Sequence, residues 1–258
     1  DLLAKNVRLV GRDPNDTTPG SWPIIEGTDT GPAVSFCGSQ TSACLLTGFI
    51  ITRRTGQIAG VVCCDGASPT IANCLIVGNR TPCSDGTVVY CKNSTAVLMN
   101  CTIADNHVGD QGAGLTLIDS NVTVLNSILW NDVAKEILPI GTSLPDVRFC
   151  TIHGSWSGVA NLDKDPLFAQ PGSWVDPNDP SLVLGADIEW AVWADGDYHL
   201  RSRVGRWDPT TQDWVQDNAT SPCIDAGLES TSVGSEHNPN GDRINLGAYG
   251  GTTEASMS

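Results

Sequence analysis

A six-residue pattern occurs five times between residues 46 and 153, and it constrains the fold more than any other feature of the sequence. Its copies are LTGFII at 46–51, ANCLIV at 72–77, MNCTIA at 99–104, LNSILW at 125–130 and RFCTIH at 148–153. The small third residue recurs at spacings of 26, 27, 26 and 23 residues. A period of this size, made of short apolar runs and turns, is typical of a solenoid.

Each repeat also contains a second apolar run upstream of the first, as in VVCC at 61–64, VVYC at 88–91 and TLI at 116–118. Turn-forming residues such as DGASP at 65–69 separate the two runs. The apolar residues alternate, which favours strands over helices and excludes helical repeats. We therefore predict an all-β fold, a right-handed parallel β-helix (solenoid) with irregular C-terminal loops. Residues 1–258 are expected to form one domain, with a first irregular coil (1–45), regular coils (46–153) and degenerate coils with capping loops (154–258).

Ten cysteines accompany the repeat. Stacked coils bring equivalent residues to one strand spacing, roughly 4.8 Å, and small polarisable thiols fill such inward columns well. Five cysteines are expected in two inward columns, Cys74, Cys101 and Cys150 in one and Cys64 and Cys91 in the other. Four others lie nearer turns and can pair in an exported protein, namely Cys37, Cys44, Cys63 and Cys83.

Asparagine recurs immediately before the small inward residue, at Asn73, Asn100 and Asn126. Side-chain amides stacked in a column can donate to one another and to the backbone of the turn. This spacing predicts an asparagine ladder that stabilises the bend.

The net charge of −15, from 29 acidic and 14 basic residues, limits the partners of the chain. Binding of nucleic acid depends on cationic contacts to phosphate, and polyanionic polysaccharides are repelled in the same way. No apolar run approaches the ~18 residues of a membrane helix. A neutral glycan is the partner that this charge favours, with no nucleic acid and no membrane involved.

Three stretches carry a resemblance to a known group, namely CLLTGFIIT at 44–52, SPTIANC at 68–74 and SPCIDAG at 221–227. The chain resembles the right-handed β-helix repeat proteins of the pectate-lyase-like superfamily over nearly its whole length. It is most similar to large exported bacterial proteins that end in an IDAG…GAY pattern, which implies a secreted protein. Because that superfamily includes lyases, hydrolases, esterases, adhesins and glycan-binding modules, function must be sought in individual residues.

Hydrolases of this fold carry Asn-Thr-Asp, Asp-Asp, His-Gly and Arg-Ile-Lys motifs on successive coils, and His153-Gly154 is the matching fragment here. The two-carboxylate arrangement of a glycoside hydrolase therefore cannot be assembled from the family pattern. The esterase pattern is likewise not recognisable.

A lyase needs a positioned base, and one group of polar residues at a coil corner offers it. A register shared by Arg53, Asn79, Asn106 and Asp132 places Arg80 beside His107 on adjacent coils. We take Arg80, His107 and Asp105 as an alternative polar site, either catalytic or a solvated corner.

Tryptophan gives the strongest functional hint, with eight residues against three tyrosines and four phenylalanines. Trp130 and His153 are expected in an outward column with Ile51, Val77 and Ala104, where an exposed indole offers a flat surface for a pyranose ring. Four more tryptophans lie in loops that can fold back over this face, namely Trp156, Trp174, Trp190 and Trp193. They either bind glycan or fix the loops to the solenoid.

Two Asx-rich loops offer the oxygen ligands that calcium prefers. The first contains Asp176, Asn178 and Asp179, and the second contains Asn240 and Asp242. Such sequences also form ordinary turns, so calcium is a possible but not a required cofactor.

These features together predict a non-catalytic carbohydrate-binding module for a plant cell-wall polysaccharide, with a neutral chain such as xylan favoured. The abrupt start predicts that it is excised from a larger secreted polysaccharide-degrading enzyme, whose catalytic domain belongs to the same parent chain. A monomer is expected. The alternatives are a polysaccharide lyase or glycoside hydrolase with an atypical site, and a cell-surface adhesin or spacer.

Overall fold

In the computed structural model, the first five coils each contribute one strand to each of three parallel sheets, and a last coil contributes to two of them. The structure describes residues 5–13, 22–53, 55–56, 60–131 and 133–258. These residues contain strands and turns but no helix, so none of them forms a helix long and apolar enough to cross a membrane. The predicted all-β parallel solenoid is confirmed.

The three sheets follow one another around every coil, and we name them A, B and C in chain order. Sheet A contains β1 (Arg8–Val10), β4 (Leu45–Thr47), β7 (Thr70–Ala72), β11 (Val97–Met99), β15 (Thr123–Leu125) and β18 (Asp146–Arg148). Sheet B contains β2 (Ile24–Glu26), β5 (Ile50–Thr52), β8 (Leu75–Val77), β12 (Thr102–Ala104), β16 (Ile128–Trp130) and β19 (Thr151–Ile152). Sheet C contains β3 (Val34–Cys37), β6 (Val62–Asp65), β10 (Thr87–Lys92), β14 (Ala113–Ile118) and β17 (Lys135–Ile140). A short parallel pair, β9 (Arg80–Thr81) and β13 (His107–Val108), lies between sheets B and C.

Columns of identical or similar aliphatic residues fill the interior. In sheet B, the paired residues Ile51, Ile76, Ile103 and Leu129 point inward and are fully buried. Burying a side chain of this size contributes about 1.5–3 kcal/mol. The repeat period therefore acts on the fold by stacking one apolar side chain on its equivalent in the next coil.

The first coil is more regular than the sequence indicates. β1, β2 and β3 pair in parallel with β4, β5 and β6, so this coil already contributes to all three sheets. The pattern is hard to recognise because β1 ends at Val10 and β2 begins only at Ile24, whereas two residues separate β4 from β5 in the next coil.

The inward cysteine columns form as predicted for Cys64 and Cys91, which are paired in register and fully buried. Burial raises the pKa of the Cys101 thiol to about 12, as expected for a core side chain. Cys44 and Cys63 are free thiols, so neither takes part in the disulfide pairing that the sequence allowed.

The asparagine ladder forms, but not from the predicted residues. Asn73, Asn100 and Asn126 adopt positive φ angles of 44°, 51° and 50°. Their side chains bond to the C-terminal part of the chain instead of to one another, as in the 2.8 Å bond from Asn73 Nδ2 to the Gly250 carbonyl. The left-handed backbone conformation turns each amide away from the interior.

The ladder consists of Asn79, Asn106 and Asn131. Nδ2 of Asn79 donates to Oδ1 of Asn106, and Nδ2 of Asn106 donates to Oδ1 of Asn131, both at 2.9 Å. Glu136 ends the ladder by accepting from the backbone N–H and from Nδ2 of Asn131. All four side chains are buried.

Residues 163–258, which we call the C-terminal segment, leave the solenoid and form small antiparallel sheets. β20 (Phe168–Gln170) pairs with β24 (Asp197–Leu200), β21 (Ser173–Asp176) lies between β22 (Asp179–Val183) and β23 (Val192–Ala194), and β25 (Arg206–Asp208) pairs with β26 (Asp213–Val215). This segment packs on the outer face of sheet B. The contact is a second apolar core, which combines Leu75, Val77, Ala104 and Ile128 of sheet B with Phe168, Trp174, Trp193, Tyr198 and Leu246.

Candidate functional site

The outer face of sheet B is covered and does not form the open platform predicted around Trp130. Val77 pairs with Ala104, and Ala104 pairs with Trp130, as expected. Ile51 is wrongly placed in this outward column, because it is paired with the inward Ile76. Val77 and Ala104 are buried beneath the C-terminal segment.

Trp130 itself is half-buried at the far end of this face. Its ring lies 4.9 Å from that of His153, with a tilt of 51°. One partly exposed indole beside an imidazole is a smaller surface than the column that the sequence predicts.

The structure brings several of the other predicted site residues together around one cavity, which we call the tryptophan cavity. Its volume is about 260 Å³. The coil side is formed by Asp105, Asn106 and His107, and the C-terminal segment contributes Trp174 and Trp193. The residues predicted to stack on glycan and those predicted to form a polar site thus share this cavity.

Trp174 and Trp193 lie on neighbouring strands, with their ring centroids 5.4 Å apart in an edge-to-face arrangement. Both are buried, so they fix the segment to the solenoid and expose only part of their rings to the cavity. Glycine at position 78 allows this close approach, since an added Cβ would lie 2.1 Å from the Trp193 indole. Trp190, in the loop between β22 and β23, is instead 57% exposed.

Arg80 is buried next to this cavity. Its guanidinium stacks on Trp174 at 4.0 Å, and its Nη1 donates to the Glu189 carbonyl at 3.1 Å. Within the described residues, its Nε and Nη2 find no hydrogen-bond acceptor. Burial lowers the pKa of Arg80, while the negative charges of Asp187 and Glu189 act in the opposite direction.

The predicted neighbour relation in the polar site is correct. Arg80 and His107 are paired in register. Arg53 is wrongly included in that register, because the pairing of Ile51 with Ile76 puts it level with Gly78 and not with Asn79. Asp132, the fourth residue of the register, lies outside the described residues. Asp105 accepts a 2.6 Å hydrogen bond from the Tyr198 hydroxyl. Burial raises the pKa of Asp105 despite this bond, so the cavity contains a carboxyl group that keeps its proton more readily than usual.

A second cavity, the end cavity, lies at the last coil and has a volume of about 370 Å³. It contains His153 and Trp156, which the sequence grouped with the other tryptophans, together with Lys135 and Glu136. Burial raises the pKa of Glu136 to about 7. This carboxyl group already accepts two hydrogen bonds from Asn131, so its burial is explained by its place at the end of the ladder.

A third cavity, which we call the aromatic cleft, has a volume of about 250 Å³ and is not predicted by the sequence analysis. Trp22 of the first coil, Trp207 and Tyr249 line it, with Asp197 and Glu254 among the polar residues. No sequence pattern groups these residues, because they come from three distant parts of the chain. The signal in the sequence that could have indicated a site here is the Asp-Tyr-His run at 197–199, in which Asp197 and His199 alternate with the aromatic Tyr198.

The two predicted calcium loops are Asx turns with their side-chain oxygens already engaged. Asp176 accepts from the Asn178 backbone N–H at 2.8 Å, and Asn240 accepts from that of Asp242 at 3.2 Å. Asp179 bonds in the same way to Ser181. In the part of the chain that the structure describes, no three His, Cys, Asp or Glu side chains converge as a metal site.

Residues 163–227 match the family described as "Disaggregatase related". This range is about a quarter of the chain, and it includes Trp174, Trp190, Trp193 and Trp207 but none of the solenoid coils. A search of curated proteins and a search of solved structures each found no match. The similarity to this family is thus restricted to the segment that covers sheet B.

Proposed function

We propose that the chain is a non-catalytic polysaccharide-binding module whose binding site is the tryptophan cavity together with the exposed Trp190. The observation that carries this proposal is the meeting of two tryptophans and the polar residues Asp105 and His107 around one cavity. Binding sites for small ligands combine apolar walls with a few polar groups in this way. Trp190, on the neighbouring loop, offers a free indole face to a second sugar unit.

The charges near the cavity favour a neutral chain. Asp187 and Glu189 lie close enough to Arg80 to affect its pKa, and Asp105 adds a further carboxyl group. Nε and Nη2 of Arg80 are buried, and Arg80 is not among the residues that line the cavity, so its positive charge offers little attraction to an anionic ligand there. An anionic chain would meet these acidic residues and the net charge of −15.

The finer features of the proposal rest on the resemblance to the pectate-lyase-like superfamily. They are a plant cell-wall ligand with xylan preferred, secretion from a bacterium, and a catalytic domain in the same parent chain. The family match covers the segment that supplies Trp174, Trp190 and Trp193.

The test is affinity electrophoresis in gels containing xylan, β-glucan or pectate. We expect retardation by a neutral polymer and none by pectate. Trp190→Ala should weaken retardation at least about tenfold, whereas Trp156→Ala, in the end cavity, should leave it unchanged. If neither xylan nor β-glucan retards the chain, or if Trp190→Ala is retarded as strongly as the parent, the proposed site is wrong. The adhesin or spacer alternative then gains support.

One observation favours the second candidate, a lyase or hydrolase with an atypical site. Asp105, whose pKa is raised by burial, lines the same cavity as His107, and a carboxyl group in that state can act as a general acid. The same samples should therefore be assayed for reducing ends and for unsaturated products. Product that disappears in both Asp105→Asn and His107→Ala would establish the enzyme in place of the binding module.

A further inference from the structure

The aromatic cleft lies between the first coils and the C-terminal segment, away from every residue used in the proposed function. Its walls include Trp22, Ile24 and Ile50 on the coil side and Trp207 and Tyr249 on the other side. A volume of about 250 Å³ is below the ~300–1,000 Å³ typical of pockets for drug-sized ligands. The cleft, like the tryptophan cavity, therefore has room for about one ring.

The aromatic rings of the cleft are held in place by their neighbours. Trp22 donates from Nε1 to Glu254 at 3.0 Å and meets Tyr249 edge to face at 5.2 Å. Tyr249 stacks on the buried His199 at 3.8 Å, and Trp207 packs edge to face on Trp214 at 5.8 Å. A ligand that contacts these rings needs little reordering of the protein, which lowers the entropic cost of binding.

The carboxylates in the cleft are already paired within the protein. Asp197 lies 2.5 Å from Nδ1 of His199 and 2.9 Å from Nη1 of Arg206. Glu254 lies 3.3 Å from Arg12 and 3.5 Å from Nε2 of His199. Because these charges compensate one another, the cleft offers little net attraction to an ionic ligand. Each carboxylate still has lone pairs that can accept from hydroxyl groups.

We propose that the aromatic cleft is a separate binding site for one ring of a neutral sugar, packed on Trp207, with its hydroxyls bonded to Asp197 and Gln212. Trp207 is half-exposed and Gln212 is exposed, so a ligand can reach both side chains, and both line the cleft. The apolar face of a pyranose matches the aromatic walls, and its rim of hydroxyls matches the polar groups. This inference goes beyond the proposed function, since the cleft shares no residue with the tryptophan cavity.

The chain offers a matched pair of variants for the test. Trp207 and Trp214 face each other across the β25–β26 hairpin and are both half-buried, but Trp207 alone of this pair lines the cleft. Binding of xylohexaose and cellohexaose is measured by tryptophan fluorescence and calorimetry. We expect Trp207→Ala to weaken binding at least about tenfold and Gln212→Ala several-fold, whereas Trp214→Ala, which removes only the support of the Trp207 ring, should lose clearly less than Trp207→Ala.

The affinities of these variants and of Trp190→Ala test the aromatic cleft and the tryptophan cavity separately. If Trp207→Ala and Trp214→Ala lose affinity equally, the loss is due to the hairpin and the cleft proposal fails. Gln212 is exposed, so Gln212→Ala leaves the fold intact, and an unchanged affinity in this variant also contradicts the proposal. Loss of binding in Trp190→Ala alone supports the tryptophan cavity and rejects the cleft. Loss in Trp207→Ala and Gln212→Ala but not in Trp190→Ala supports the cleft and rejects the tryptophan cavity, whereas a partial loss in each of Trp190→Ala and Trp207→Ala, with two sites per chain in calorimetry of the parent, supports both. No binding of either oligosaccharide rejects the cleft site.

Discussion

The solenoid and the C-terminal segment satisfy their buried polar groups in different ways. In the solenoid, one amide in each coil bonds to its equivalent in the next, as in the ladder of Asn79, Asn106 and Asn131. In the C-terminal segment, His199 lies between the carboxylates of Asp197, a near neighbour in sequence, and Glu254, which comes from a distant part of the chain. Repetition thus gives the chain a scaffold, and irregular long-range contacts give it its charged clusters.

Each candidate binding site also combines residues from the two regions. In the tryptophan cavity, Asp105 comes from a coil and Trp174 from the segment. In the aromatic cleft, Trp22 comes from the first coil and Trp207 from the segment. Because neither region forms these cavities alone, the docking of the segment on sheet B creates both sites.

The largest effect is expected where the scaffold is most repetitive. Asn106→Ala removes an amide that bonds to both neighbouring coils and leaves their buried groups without partners. We expect a loss of about 4 kcal/mol in the free energy of unfolding, measured by urea denaturation. Asn121, which is exposed and accepts a single bond from the Leu144 backbone N–H, provides the control. If Asn121→Ala costs as much as Asn106→Ala, the ladder is not what stabilises the coils.

The ladder also shows which features of the fold could be predicted from the sequence. Two sets of asparagines recur at the same period, one represented by Asn73 and Asn100 and the other by Asn79 and Asn106. Periodicity predicts that both form columns, but the direction of each side chain depends on φ, which is positive at Asn73 and Asn100. The fold class was therefore accessible from the spacing alone, whereas the position of the ladder was not.

The candidate sites were less accessible for a related reason. The neighbour relation of Arg80 and His107 lies within the repeat, and the register predicts it correctly. The contact of Arg80 with Trp174 joins the repeat to the segment, and no periodic pattern extends across that boundary. Most residues of the aromatic cleft belong to the C-terminal segment, outside the repeat, so only the structure could show that they lie together.

A pH titration should test one buried carboxyl group in each region. Burial raises the pKa of Glu136, at the end of the ladder, and of Glu236, in the C-terminal segment, each to about 7. A carboxyl group whose pKa is higher in the folded state stabilises that state fully below its unfolded pKa, near 4.5. This contribution, about 3 kcal/mol for each residue, is lost as pH rises through 7.

Urea denaturation at intervals from pH 4.5 to 8 measures this dependence. Glu136→Gln and Glu236→Gln should each flatten it, and high salt separates the effect from general repulsion among surface charges, because buried groups are screened less. A profile in either variant that runs parallel to that of the parent would contradict the assignment of that carboxyl group.

A smaller effect is expected at the contact between the regions. Gly78 and Gly66 have similar positive φ angles of 62° and 65°, so alanine strains the backbone equally at both. At Gly78 the new Cβ would also lie 2.1 Å from the Trp193 indole, whereas at Gly66 its nearest neighbour is the Gly38 carbonyl oxygen at 3.7 Å. Gly78→Ala should therefore cost about 2 kcal/mol more than Gly66→Ala in thermal unfolding. Equal losses would mean that Trp193 is not tightly packed on the coil.

The smallest effect concerns the ion pairs that join the two regions. Arg53 contacts Glu26 and Asp195 at the surface, whereas Arg12 meets Glu254 in a buried pair. Exposed pairs are screened by water and salt, so Arg53→Ala should cost less than about 1 kcal/mol, and this cost should fall further at high salt. Arg12→Ala leaves a buried carboxylate without its cation and should cost several times more in the same urea titration. If Arg53→Ala proves as costly as Arg12→Ala, surface charge and not the buried cluster holds the segment on the solenoid.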